Sequence, residues 1–306
     1  MLYKLKDRAK RAAFGLRCRG ILDTLPVALN RTSSLLVLSQ LQHKDLLMYL
    51  LALKSFAQRI DIGGVAVLND GSLTADDLDT LRYHVPGIEL LSLESFRSDS
   101  CPRGGTWERI LAICERAQDR YVVQLDSDTL TLADIDEVKV CIREGCSFTI
   151  GTWDKQTFEP MSERVRYARQ VAQTSPPHVQ IVAEANFDRL KRFNELRYVR
   201  GCSGFAGFSR KSVTRSFVEA ISAEMSGALG SKWSEWGSEQ VMSNIAVANA
   251  PRATVLPHPK YADCHKVNPT ETAFVHFIGS CRFSGGAYAH HARSVIEALA
   301  RDRTAL

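Results

Sequence analysis

Between residues 34 and 125 the sequence keeps a rhythm that leaves few folds open. Short apolar runs, "SLLVLSQ" (34–40), "GVAVLND" (64–70), "IELLSL" (88–93) and "YVVQL" (121–125), read as strands. Between them lie segments of helical character: "KDLLMYLLALKSFAQ" (44–58), a stretch opening after Thr74, and "TWERILAICERAQ" (106–118). Strands that are apolar almost throughout are covered on both faces, and strands joined by helices run parallel. The expected fold class is therefore α/β: a Rossmann-like sheet with helices on both faces. In such sheets ligands bind beyond the carboxyl ends of the strands. The polar punctuation collects there: Ser39, Gln40 and His43 after the first strand, Asn69 to Ser72 after the second, and Asp126-Ser127-Asp128 after the fourth.

Beyond residue 150 the rhythm changes. Residues 154–195 are polar, rich in Arg, Gln and Glu, and include "TSPPH", so the second half is expected to be less regular, with helical stretches. Short candidates follow at "ELRYVRG", "GFAGFSR", "EQVMSNIAVANA" and "AFVHFIGS" (273–280), and "HHARSVIEALARD" closes the chain as a helix. The expected division is a basic N-terminal helix over 1–30, one globular domain over 31–285 with a nucleotide-binding half at 31–150, and a C-terminal helix over 286–306.

The net charge of +5 is not spread evenly. Residues 1–20 carry seven lysines and arginines against Asp7, a surplus of six, so the rest of the chain is close to neutral. A nucleic-acid surface over the fold is thereby disfavoured. Leu2, Leu5, Ala9, Ala12 and Leu16 recur at spacings of three and four among those charges. Such a helix either lies on an anionic membrane surface or is a solvated cap. No secretory apolar segment follows it, and "LLMYLLAL" (46–53) is far short of a membrane span of roughly 20 residues. The eight cysteines form no CxxC pair and several sit in apolar surroundings, as buried free thiols do. A cytoplasmic place fits these features, with peripheral contact at the inner face of the membrane through the basic helix.

The pair Asp126 and Asp128 needs compensation, because close carboxylates repel and lose hydration when buried. On an extended segment both side chains would point to the same side. Magnesium and manganese commonly bind one or two carboxylates together with phosphate; a solvated turn is the other reading, since Asp and Ser form turns. A calcium loop beginning at Asp126 fails, because Thr131 stands where glycine is required and Leu130 where an oxygen ligand is required. A dehalogenase-type phosphatase motif is a remote alternative, since three strands precede the pair.

"YVVQLDSDTL", preceded by "TWERILAI", resembles the DxD segment of nucleotide-sugar-dependent glycosyltransferases of the GT-A fold, above all the retaining family 8 group. In the same order along the chain, "GSEQVMSN" (237–244) resembles that group's D-Q-D-x-x-N helix start and "HFIGSCRF" (276–283) its H-x-x-G-x-x-K-P segment. The resemblance covers about residues 34–283 and implies a mixed GT-A sheet with DxD at a strand end and an acceptor half at 151–285. It implies that Asp126, Asp128 and His276 hold Mn2+ or Mg2+ against the donor's diphosphate. Read alone, a histidine in "AFVHF" is equally a core residue. The donor is expected to be a nucleoside-diphosphate sugar, UDP-linked, met by Ser39 and Asp70 at the nucleotide and by Arg103, Gly279 and Arg282 at the phosphates. Arg109, Glu239 and Gln240 are implied in the chemistry at the transferred sugar.

There are departures from the pattern. Glu239 is longer than the family's Asp, Val241 replaces its second Asp while Asn244 is kept, Cys202 stands where an Asn is usual, and Arg282 replaces a lysine. The implied reaction is sugar transfer to a hydroxyl of a glycan, lipid or protein acceptor, with retention; an inverting route would need Glu235 or Glu239 as base. Two other classes stay open. One is a catalytically silent nucleotide-sugar binder. The other is a sugar-phosphate nucleotidyltransferase, disfavoured because "LSQLQHKD" lacks the glycine-rich loop that chemistry uses.

Overall fold

The computed structural model describes residues 2–173, 178–279 and 281–304. In chain order its elements are α1 (Leu2–Cys18), β1 (Leu35–Leu41), α2 (Leu46–Ala57), β2 (Gly64–Asn69), α3 (Ala75–His84), β3 (Glu89–Ser92), α4 (Trp107–Arg116) and β4 (Tyr121–Leu125). Then come β5 (Thr129–Thr131), α5 (Asp136–Glu144), β6 (Phe148–Ile150), β7 (Glu159–Pro160), α6 (Met161–Ala172), α7 (Val179–Ala185), β8 (Arg197–Tyr198) and β9 (Cys202–Phe208). The chain ends with α8 (Arg215–Leu229), α9 (Ser238–Ala248), β10 (Thr254–Leu256), β11 (Tyr261–Asp263), β12 (Phe274–His276) and α10 (Ala287–Thr304). Strands and helices alternate through the first half as the rhythm predicts, and the class is mixed α/β.

Two compact units divide the chain: Met1–Leu91 with Leu125–Asp136 and Pro259–Leu306, and Ser92–Gln124 with Glu137–His258. In the first, β1 and β2 pair in parallel, Leu36 opposite Gly64 through Leu41 opposite Asn69, and β3 lies beside β2. β1 is buried along almost its whole length, while β3 is half-buried, as an edge strand is. α2 is buried on every side from Met48 to Phe56, which is why its sequence shows no polar face. α3 begins with a capping box: Thr74 Oγ1 accepts from Asp77 N at 3.2 Å and Asp77 Oδ2 accepts from Thr74 N at 2.8 Å. Lys54 sits inside this unit with its ammonium donating to Thr24 Oγ1 (2.7 Å) and the Leu25 carbonyl (2.6 Å), and it meets His84 Nδ1 at 2.8 Å. A second sheet, β11–β12–β5, completes the unit.

In the second unit the strands run β10–β6–β9–β4, with β6 parallel to β10 and antiparallel to β9, so the sheet is mixed. At Gly207 in β9 a Cβ would collide with the Phe148 ring and approach Tyr121 Oη to 2.7 Å, so only glycine fits. The region expected to be irregular is more helical than its polarity suggests. α6 and α7 pack together around Glu184, which is fully buried and takes a hydrogen bond from Tyr198 Oη at 3.1 Å, with Arg200 Nε 3.4 Å away. Those charges look like surface in the sequence because their partners lie far along the chain. "TSPP" (174–177) lies outside the described residues.

Two expectations change. α1 is a helix, but its packed face carries Phe14 and Cys18, and Phe14 lies 4.5 Å from the Tyr288 ring of α10. Ala9, Ala12 and Leu16 are exposed, Leu16 to 78%; Leu2 and Leu5 lie outside the described side chains. An aromatic ring buries more area than alanine, and it sets which face turns inward. The cysteines also differ: Cys264 and Cys281 form a disulfide with Cα atoms 6.2 Å apart, while Cys18, Cys101, Cys114 and Cys141 are buried free thiols. Pairing of β11 with β12 brings that couple together, which spacing alone does not reveal.

Candidate functional site

The chain leaves β4 at Leu125, turns through Asp126-Ser127-Asp128 and enters β5 at Thr129. The turn is closed by Thr129 Oγ1, which donates to the Asp126 carbonyl at 2.8 Å. The aspartates therefore sit on a turn and not on an extended segment, yet they converge, because β5 pairs antiparallel with β12 and sets Thr129 opposite His276. Asp128 is thereby brought beside the imidazole, and Phe277 N donates to the Asp128 carbonyl at 2.8 Å. His276 Nε2 lies 3.2 Å from Asp128 Oδ1 and 3.7 Å from Asp126 Oδ2. One ligand atom from each of Asp126, Asp128 and His276 falls within 4.8 Å of the others.

Asp128 is 5% exposed and Asp126 27% exposed at the side chain, so the cluster has a closed and an open edge. Arg282 Nη2 forms an ion pair with Asp128 Oδ2. Burial alone would raise the Asp128 carboxyl, but His276 and Arg282 outweigh it and hold it at about 2. Tyr288, at the start of α10, supports the turn from behind: its hydroxyl reaches the Ser127 carbonyl at 3.4 Å and its ring stacks on Phe277 at 4.3 Å. Sequence reasoning passed over Tyr288; an aromatic just after the pair Gly285-Gly286 was the available signal. Two carboxylates and one imidazole form an oxygen-rich set with one borderline nitrogen, which fits Mn2+ or Mg2+ better than a thiophilic metal.

No family model matches the sequence, and no curated protein matches it. Solved structures similar to the chain are glycosyltransferases. They include the WbbM bifunctional glycosyltransferase in its apo form, at 12% identity and a TM-score of 0.49, covering 86% of this chain and 52% of that one. Galactosyltransferase LgtC in complex with donor and acceptor sugar analogs gives 13% identity and a TM-score of 0.47, covering 86% of this chain and 95% of that one. Core-mannan synthase A of Aspergillus fumigatus, in a Mn/GDP form, gives 11% identity and 0.44, covering 76% and 75%. The chain thus spans about half the length of WbbM.

Three further predicted residues lie in the first unit. Ser39 is fully buried and donates its hydroxyl to the Leu125 carbonyl at 2.6 Å, so it braces the strand that leads into the turn. Asp70, at the end of β2, folds back on its own loop, accepting from Ser72 N (2.9 Å) and Ser72 Oγ (2.6 Å). Gly279 is exposed and has open space where a Cβ would go.

In the second unit Arg109 and Glu239 come together, 3.4 Å apart and both buried. Glu239 Oε2 also accepts from Thr106 Oγ1 (3.0 Å) and Ser203 Oγ (3.3 Å). Neither Thr106 nor Ser203 was predicted, and no local pattern marks them. Trp107 Nε1 donates to Ser238 Oγ at 2.9 Å, fastening the start of α4 to the start of α9. Gln240 is half-buried, Glu235 is exposed in an ion pair with Lys232 at 2.8 Å, and Arg103 is 70% exposed with Asp99 3.7 Å away. Val241 is buried in the core and Asn244 Nδ2 donates to the Gly201 carbonyl at 3.2 Å, so these two positions serve packing.

Proposed function

We propose that the chain transfers a sugar from a nucleoside-diphosphate donor, UDP-linked, to a hydroxyl acceptor, with retention at the anomeric carbon. The observation that carries this reading is the convergence of Asp126, Asp128 and His276 at the end of a sheet strand, two of them 148 residues apart in sequence. Mn2+ or Mg2+ held by these three would act as a Lewis acid on the charge that develops at the departing diphosphate. Arg282 adds a permanent positive charge beside them, and burial of Asp128 strengthens every such interaction by excluding water. The sequence resemblance assigns Asp70 to the base, Arg103 and Gly279 to the phosphates, and Arg109, Glu239 and Gln240 to the sugar. A buried Glu239 already engaged by Arg109 is a poor base for an acceptor hydroxyl, which favours retention over inversion.

We propose a cytoplasmic place on the membrane reading of α1 alone, since the Cys264–Cys281 disulfide removes the cysteine argument for it: Ala9, Ala12 and Leu16 are exposed beside Arg8, Lys10 and Arg17, as a helix lying on anionic lipid needs. Among the described residues no helix is long and apolar enough to cross a membrane.

A thermal-shift series of nucleotide sugars with and without Mn2+ tests the function, because a ligand that binds only the folded state raises the melting temperature. UDP-sugars should give a metal-dependent rise that Asp128→Ala removes, and donor hydrolysis without acceptor should follow the same dependence. Equal shifts with and without metal would count against the reading; binding without hydrolysis or transfer would identify a silent binder.

A further inference from the structure

We infer that Arg282 is the chain's internal stand-in for the cation, seated on Asp128 until a diphosphate draws it off, so that metal and nucleotide bind as a linked pair. This rests on the metal-dependent reading above. Asp128 has both carboxylate oxygens engaged: Oδ1 faces His276 Nε2 at 3.2 Å and Oδ2 is taken by the Arg282 guanidinium. A buried carboxylate of this kind needs a counter-charge, and Arg282 supplies it. A divalent ion would cancel the charge of the two aspartates by itself, which releases the guanidinium from Asp128, with Nε still near the Phe277 carbonyl and Asp45 in range, to meet an anion. A diphosphate suits it, because the planar fork matches phosphate oxygens.

The surrounding structure lets the side chain move while the backbone stays. Arg282 N and Cys281 N both donate to the Ile278 carbonyl at 3.0 Å. Cys281 is bonded to Cys264, whose N donates to the His276 carbonyl at 3.0 Å. The segment after the triad is thus tied to the strand that carries His276. The Arg282 side chain is 24% exposed, with Nε 3.3 Å from the Phe277 carbonyl, and has an open edge toward which to turn. Coupling is reciprocal, so nucleotide must tighten metal binding by the factor by which metal tightens nucleotide binding.

The test is Mn2+ binding, read from the electron-paramagnetic-resonance signal of the free ion, for the full chain and for Arg282→Gln and Arg282→Lys, each alone and with UDP or GDP. Arg282→Gln should bind Mn2+ about tenfold tighter than wild type without nucleotide, and the tightening by nucleotide should shrink by a similar factor. Arg282→Lys separates a seat on Asp128 from mere charge. It keeps the charge but loses the fork, so it should also bind Mn2+ tighter than wild type, and it carries the test should the glutamine variant not fold. Equal Mn2+ affinity of all three proteins without nucleotide overturns the inference and leaves the metal reading standing. No Mn2+ binding by any of them, with or without UDP or GDP, overturns both.

Discussion

Arg109 of α4 and Glu239 of α9 face each other at 3.4 Å with only 4% and 3% of their side chains exposed. Removing both charges from water is costly, and removing one partner strands the other in the interior. Arg109→Met should therefore destabilise the fold by about 3–5 kcal/mol. The double variant Arg109→Met/Glu239→Leu should recover much of that loss. Urea unfolding of the single and double variants checks this independently of activity; a single variant as stable as wild type would mean that the pair contributes no structural restraint.

Thr106 introduces α4 with φ of 73°, after Gly104 and Gly105 at 76° and 56°. A β-branched residue in the left-handed region is strained by about 1–3 kcal/mol, and such strain persists where the surroundings enforce it. Here the enforced conformation brings the threonine hydroxyl to Glu239. Thr106→Gly and Thr106→Ala both lose that hydroxyl, but only glycine relieves the backbone. The glycine variant should be the more stable of the two by about 1 kcal/mol or more, measured by denaturant midpoint.

Most of the first half is legible because buried parallel strands and their covering helices write their environment directly into composition. "SLLVLSQ" and "LLMYLLALKSF" can be little else, and Thr74 with Asp77 spells a helix start. The triad is legible only in part. Asp126 and Asp128 stand out as neighbouring charges after an apolar run, whereas His276 is singled out only by the family resemblance, because read alone it is equally a core residue and its contact with the aspartates is made by the pairing of β5 with β12. The same limit hides Arg282 on Asp128, Cys264 with Cys281, Thr106 and Ser203 around Glu239, and, around Glu184, Arg200 together with Arg164 of α6, whose Nη1 lies 4.0 Å from Glu184 Oε2. Charged residues of α6 read as a solvated face because sequence shows their polarity and not their distant partners. Lys54 is an intermediate case: a lysine inside "LLALKSF" signals a buried ammonium without naming the carbonyls that receive it.

His84 and Lys54 make stability depend on pH in two windows. Burial, with Lys54 alongside, pushes His84 down to about 4, and burial pushes Lys54 down to about 8. Both bases then bind protons less readily folded than unfolded, so stability rises with pH wherever only the unfolded chain is protonated. For His84 that window runs from about 4 up to the ordinary value near 6.5, and stability is lost as pH falls through it; for Lys54 it runs from about 8 to 10.5. Urea midpoints at pH 6.5 and 4.5 should differ less in His84→Gln than in wild type. An unchanged difference would mean that His84 protonates as freely in the folded protein as in the unfolded one.

The disulfide between Cys264 and Cys281 closes a segment with a sequence separation of 17 that contains β12 and His276. In the chain-entropy account, a cross-link of this span stabilises by about 3 kcal/mol through the unfolded state. Reduction, or Cys264→Ser/Cys281→Ser, should therefore lower the melting temperature by several degrees, at roughly 2–4 °C per kcal/mol for a chain of this order of size. The fold should survive, because β11, β12 and β5 keep their ladder and Phe277 N still donates to the Asp128 carbonyl. Thermal unfolding with and without a dithiol reductant, beside the double serine variant in the same buffers, distinguishes loss of the cross-link from other effects of the reductant. The reduced wild type and the serine variant should coincide. A serine variant that matches the oxidised protein would show that the cross-link does not constrain the unfolded chain.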